Sequence, residues 1–228
     1  MVPAEDPGRR YDRVMPRVSE EYRRGQERRI LRAARARFAD DGFHAVTMDQ
    51  IIAAAGVSSS TVYRYYPEGK TQLIHAVSAE RLGPLIGYLE EVAGRDDPAP
   101  PDEVLREAMS LLLPPGADEA MIVQGVRLAV NAWAEAARDE VVRAMLGGNL
   151  ARIRALVTAI VRSWMRCGRL STSLGVEQAA ELLMDAGFGL VAGLAIEGGG
   201  SAAVVRRRLH RLSAAVDEIL AAPGPADG

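Results

Sequence analysis

The twenty-four residues from Thr47 to Lys70, TMDQIIAAAGVSSSTVYRYYPEGK, admit very few local structures. Thr47 followed three residues later by Gln50 is a capping box, in which each side chain satisfies the other residue's backbone amide, so a helix begins at Met48. Ile51, Ile52 and Ala55 set apolar groups along one side of that helix, and Gly56 supplies the left-handed residue that ends a helix without Cβ strain. Val57 plugs the space between two helices, and Ser58 caps the second. Pro67 then disfavours helical geometry at Tyr66, which holds the second helix to about two turns. Val62 and Tyr66, four apart, face inward. Ser59, Ser60, Thr61, Tyr63, Arg64 and Tyr65 occupy the other faces.

A helix this short, with so little to bury, has a plain use. A major groove admits an α-helix, and side chains at its N-terminal end touch base edges. Serine and threonine hydroxyls hydrogen-bond bases or phosphates, Arg64 can take a guanine edge through two donors, and tyrosine phenols reach phosphate oxygens. The bland alternative is a surface hairpin whose polar face is merely solvated. The capping box, the helix length, the aromatic cluster and the following Pro-Glu-Gly-Lys turn agree with each other and favour the DNA reading.

From about Gln26 to Val77 the chain resembles the tetracycline-repressor (TetR/AcrR) family of bacterial transcription regulators, most strongly over FHAVTMDQIIAAAGVSSSTVYRYYPEGKTQL, Phe43 to Leu73. The resemblance implies a phosphate-contacting role for Thr47 and base or backbone contacts from Ser58, Ser59, Ser60, Thr61, Tyr63, Arg64 and Tyr65. It implies a phosphate contact for Lys70 at the start of the next helix. Two departures stand out: Tyr66 occupies a position where phenylalanine is usual, and the Pro-Glu-Gly-Lys turn is one residue longer than the commonest form. Lys70 is also the only lysine among 28 lysines and arginines, which either retention of a compact phosphate-directed charge or chance in an arginine-rich chain would produce.

Charge is unevenly spread. Residues 1–37 carry eleven arginines against six acids, a balance of +5 in a chain whose net charge is −2. Arg9, Arg10, Arg13 and Arg17 can add phosphate contacts or enter a minor groove, or they belong to a disordered tail with no fixed partner. Cys167 is alone, which excludes an internal disulfide, and no metal-ligand spacing accompanies it. The N-terminus lacks a secretory apolar stretch, and no later run of about twenty residues is free of charge and glycine, so a cytoplasmic location is expected.

No strand pattern is convincing, and the expected fold is all-α: residues 1–19 a basic arm, 20–75 a three-helix DNA-binding domain, 76–228 a larger helical effector-binding and dimerisation domain. Glu20 to Ala39 reads as the first helix, with Ile30, Ala34 and Phe38 as its core stripe and its arginines mostly solvated. The fourth reads as Lys70 to about Arg81, interrupted at Gly83 and Pro84 before a further segment to Ala93. GRDDPAPP, residues 94–101, is a loop; Asp102 can cap the helix after it, and Asp118 or Glu119 starts another running through Ala137. From Asp139 to Arg166 the apolar residues Leu146, Leu150, Ile153, Val157, Ile160 and Trp164 recur at alternating spacings of three and four, a seam that requires a helical partner.

Helices over about Val176–Ile196 and Ala202–Leu220 carry the stripes Leu183, Ala186, Leu190, Leu194 and Val205, Leu209, Leu212, Val216, Ile219. In the family this pair resembles the helices that form a four-helix bundle with a second subunit, which makes these residues the expected dimer interface. The alternative is that both stripes lie within one core. The central helices can surround a small-molecule pocket, with Met109, Met121, Gln124, Arg127, Asn131, Trp133, Trp164, Met165, Met184 and Phe188 as candidate contacts; methionines and aromatics at helical spacing are equally ordinary packing. The segment RLAVNAWAEAARDEVVRAML loosely resembles effector domains that sense lipophilic or cationic compounds.

Catalysis fares poorly as a reading: His44, His75 and His210 are scattered, there is no nucleophile elbow, and no phosphate-cradling glycine turn is present, so no catalytic residue, cofactor or metal is expected. A helical protein-interaction scaffold with only non-specific DNA binding is the remaining alternative. The expected partners are a palindromic double-stranded DNA operator, a small-molecule effector and a second copy of the chain.

Overall fold

The computed structural model describes residues 20–112 and 118–198, together with 201, 203–205, 207, 208, 210–212 and 214. Among the described residues all regular structure is helical: α1 (Glu20–Ala45), α2 (Met48–Ala55), α3 (Ser59–Tyr65), α4 (Lys70–Ala93), α5 (Pro101–Leu112), α6 (Glu119–Ala136), α7 (Glu140–Arg166) and α8 (Val176–Ile196). The N-terminal arm with its four arginines, Leu209, Val216 and Ile219 lie outside the described residues, as does most of the expected final helix.

Local caps set several boundaries where the sequence puts them. Asp118 accepts from the Met121 amide at 2.8 Å and Asp139 from the Val142 amide at 2.9 Å, each contributing about 1 kcal/mol to its helix start. Three boundaries differ from expectation. α1 continues past Ala39 to Ala45 through a non-helical Gly42 (φ 79°, ψ 160°), because Phe43 is drawn into the core and stacks on Phe38 at 4.6 Å. α4 is unbroken across Gly83 and Pro84. Both residues are exposed while Leu85, Ile86 and Leu89 are buried beyond them, so the proline lies on the solvent side of α4 and packing carries the helix through. α5 opens on Pro101, a favoured first-turn residue, and Asp102 pairs with Arg106 at 2.9 Å instead of capping.

Ile30, Ala34 and Phe38 of α1 are fully buried, joined by Ile51, Val62, Leu73 and Val77 from α2 to α4. Leu128 of α6 and Val142 of α7 belong to the same cluster, so the first core runs on into the larger domain, and the expected division at residues 75 and 76 falls inside α4. A second cluster joins α4, α5, α7 and the start of α8, and a third joins α5 and α6 to the end of α8 and Val205. The loop before α5 is docked on the end of α7: Trp164 Nε1 donates to the Ala99 carbonyl at 2.7 Å, and Arg169 holds Asp97 through two 2.8 Å bonds.

α7 and α8 reach mean hydropathies of 1.3 and 1.6 over their most apolar stretches, long and apolar enough by length and composition to cross a membrane. Both pack in the helical bundle, and charges interrupt each stretch: Arg152 of α7 pairs with Glu90 of α4, and α8 carries Glu181 and Asp185.

Candidate nucleic-acid interface and inner cavity

The helix pair α2–α3 is fixed by short-range chemistry. The Thr47 amide donates to Gln50 Oε1 at 2.8 Å and the Gln50 amide to Thr47 Oγ1 at 3.3 Å, the complete capping box. Gly56 takes the left-handed conformation (φ 62°, ψ 37°) that closes α2. From α1, Arg29 Nη2 donates to the Ala55 and Gly56 carbonyls at 3.1 and 3.3 Å, a cation at the negative end of α2. Arg29 remains exposed, as expected for the arginines of α1, yet it is tied by these bonds, and no local pattern marks them because the partners lie 26 and 27 residues away.

α3 presents the expected residues outward. Ser58 caps it, accepting from the Thr61 amide at 3.2 Å, and its hydroxyl lies 3.1 Å from that of Ser60 and 2.8 Å from that of Thr61. Ser59, Ser60, Tyr63 and Arg64 are exposed, Thr61 and Tyr65 half-buried, and the Arg64 guanidinium sits 5.6 Å from the centre of the Tyr65 ring. Tyr63 is 44% exposed, a large aromatic face with no burial to explain it. Thr47 is exposed beside them.

Lys70 is differently placed from a free surface charge. Its ammonium donates to the His44 and Val46 carbonyls at 3.2 and 3.0 Å, tying the start of α4 to the α1–α2 junction and leaving one of three protons unused. Gly69 before it needs a positive φ of 66°. Val62 and Tyr66 face inward, at 0% and 4% exposure. The Tyr66 hydroxyl is buried with no hydrogen-bond partner among the described residues, and burial, with Glu27 and Glu80 adding to it, pushes its pKa above the ordinary tyrosine range.

Behind this module lies a cavity of about 520 Å³ bounded by α4 to α8 and reached by Phe43 of α1. Met109, Trp133, Trp164, Met184 and Phe188 line it, with Trp133 and Phe188 5.6 Å apart. The other five candidate contacts lie elsewhere. Met121 is 55% exposed, and Gln124 and Met165 do not reach the wall. Arg127 faces Asp40 at 3.9 Å, and Asn131 Nδ2 donates to the Phe38 and Ala39 carbonyls at 2.9 and 3.0 Å. These carbonyls lie four and three residues before the non-helical Gly42, so Asn131 braces α1 at its kink and the polar stripe of α6 faces α1, not the cavity.

The sequence reading also missed Arg81, which lines the cavity between Val77 and Leu85 on one face of α4. Its signal was available: an arginine at spacing four from apolar residues on both sides. No group of three or more His, Cys, Asp or Glu side chains among the described residues could hold a metal ion.

The expected dimer residues divide. Leu183, Leu190, Leu194 and Val205 are buried inside the chain at 8%, 8%, 0% and 3% exposure, so they face its own core; Ala186 and Leu212 are half-buried. Helix periodicity alone could not separate the inner face of α8 from an outer one, because glycine and alanine spread small apolar residues around the whole helix. On the outer side a Cβ at Gly189 would meet nothing within 4 Å, and Ile196 is 87% exposed.

Residues 30–77 match the family model described as "Bacterial regulatory proteins, tetR family". The chain is 24% identical over 169 residues to the HTH-type transcriptional regulator UidR of Escherichia coli strain K12, across 74% of this chain and 81% of that protein. Among solved structures it resembles Salmonella enterica GusR, with a TM-score of 0.65 and 25% identity over 89% of this chain and 98% of that one. A TetR transcription regulator from Haloarcula marismortui shares the fold, with a TM-score of 0.65 at 16% identity over 86% of this chain and 97% of that one.

Proposed function

Because the chain belongs to the tetR family of bacterial regulatory proteins and is a DNA-binding regulator, we propose that it is a homodimeric cytoplasmic repressor released from a palindromic operator by a small molecule. The observation that carries the reading is α3: seven residues, capped at Ser58, with Val62 alone buried and its hydroxyls, Tyr63 and Arg64 turned outward on a rigid mount. Ser59, Ser60, Thr61, Tyr63, Arg64 and Tyr65 contact bases and phosphates, and Thr47, Ser58 and Lys70 fix the module on the backbone.

A single two-turn helix reads too few bases to select a site, whereas two such helices about one DNA turn apart read a palindrome. α8 supports the second copy, since on its outer side a Cβ at Gly189 would meet nothing within 4 Å and Ile196 is left 87% exposed. The cavity is the effector site, and Phe43 and α4 carry its state to the operator-reading helices. A ligand that favours the conformation with the wrong spacing by a few kcal/mol vacates the operator.

Selection of genomic fragments by the purified protein, followed by footprinting at two salt concentrations, tests this. An enriched palindrome protected by wild type and lost in Tyr63→Ala or Arg64→Ala is the expected result. Salt-sensitive binding without sequence preference would overturn it in favour of the scaffold reading.

A further inference from the structure

The wall of the cavity has an unusual charge balance. Among the described residues its only ionisable side chains are Arg81 and Arg143, with no Asp, Glu, His, Lys or Tyr, and the rest of the surface is almost wholly apolar. Arg143 pairs with Glu140 at the exposed start of α7. Among the described residues Arg81 has no carboxylate partner; its Nη2 donates to the Leu112 carbonyl, and its other donors make no further hydrogen bond to those residues.

The fold makes room for this group. A Cβ on Gly125 of α6 would stand 3.3 Å from Arg81 Nη2, tighter than ordinary contact, so the missing side chain is what admits the guanidinium at that point. Burial, with the positive Arg35 adding to it, holds the Arg81 pKa below the usual arginine value, the environment of a cation short of a counter-charge. One turn before it on α4, Ser78 also lines the cavity, its hydroxyl accepting from Asn149 Nδ2 at 3.2 Å and keeping its own proton to give.

We propose that the cavity takes an amphipathic carboxylate, its head held by Arg81 and Ser78 and its apolar body lying among the aromatic and aliphatic side chains toward Trp133 and Phe188. A planar guanidinium offers paired donors that fit a carboxylate, and a wall of low polarity strengthens that pair while an apolar body displaces poorly held water. A lipophilic cation meets only like charge here. The inference rests on reading the cavity as the effector site.

Isothermal titration of the full chain with dodecanoate, dodecanol and dodecyltrimethylammonium, all below their aggregation concentrations, tests it. Dodecanoate is expected to bind on the order of tenfold more tightly than dodecanol, with no measurable binding of the cation. Arg81→Met should erase the difference between acid and alcohol while leaving the alcohol's affinity unchanged, and Arg81→Lys should retain part of the preference. Gly187 lines the cavity and a Cβ there meets nothing within 4 Å, so Gly187→Leu fills the space and should abolish binding of both the acid and the alcohol. Binding of the cation as tight as the acid, an acid preference that survives Arg81→Met, undiminished binding to Gly187→Leu, or no binding of dodecanoate overturns the proposal. Footprinting without any probe reports on the regulator reading alone, so the two readings fail separately.

Discussion

Tyr66 and Lys70 show how much one atom decides. The phenol oxygen of Tyr66 is buried without a partner among the described residues, so the hydroxyl carries a desolvation penalty and returns nothing. Tyr66→Phe is expected to raise stability by about 1 kcal/mol in urea denaturation, with operator affinity unaltered; a loss of stability would mean that the hydroxyl has a partner in solution. Lys70 divides its charge between two carbonyls and whatever lies outside. Lys70→Met is therefore expected to cost about 1 kcal/mol of stability and also to reduce the salt slope of DNA binding by about one counterion, with Lys70→Arg restoring most of the slope. A stability loss with an unchanged slope would make Lys70 a staple for the α1–α2 junction and nothing more.

At the scale of elements, the legible features are those whose cause lies within four residues. Thr47 with Gln50, Ser58 with Thr61, Asp118 and Asp139 with the amides three ahead, and Gly56 at the end of α2 all satisfy helix ends locally, and the sequence displays them. Illegible features come from partners far along the chain. The continuity of α4 through Pro84 depends on apolar contacts from α5 and α7, and the extension of α1 past Gly42 depends on burial of Phe43 and on Asn131 of α6, which bonds the Phe38 and Ala39 carbonyls 93 and 92 residues away. The cavity is intermediate: its residue types were evident, but both Met109 and Met121 sit on amphipathic helices and only the packing tells which one faces in. Asn131→Ala removes the donor that bonds the Phe38 and Ala39 carbonyls beside the Gly42 kink. Stability should fall by about 1–2 kcal/mol, and amide exchange should accelerate chiefly in the last turns of α1. Acceleration spread evenly over the chain would deny the α1–α6 tie its local role.

At the scale of the molecule, the proposed dimer depends on a surface that one chain leaves open. Gly189 lies on the outer side of α8, where a larger side chain meets nothing within 4 Å of its Cβ and gains helix propensity over glycine. Gly189→Glu should leave the fold of the single chain intact while shifting sedimentation from dimer to monomer and lowering operator affinity by at least about tenfold. A dimer that persists would place the interface on another face. The same bundle places both of the chain's tryptophans, Trp133 and Trp164, on the cavity wall, one half-buried beside Phe188 and the other 2% exposed with its indole bonded to Ala99. All of the protein's indole emission thus originates at the one place where an effector is expected to sit. The unlabelled chain is its own fluorescent sensor, able to report occupancy in a compound screen before any operator is known.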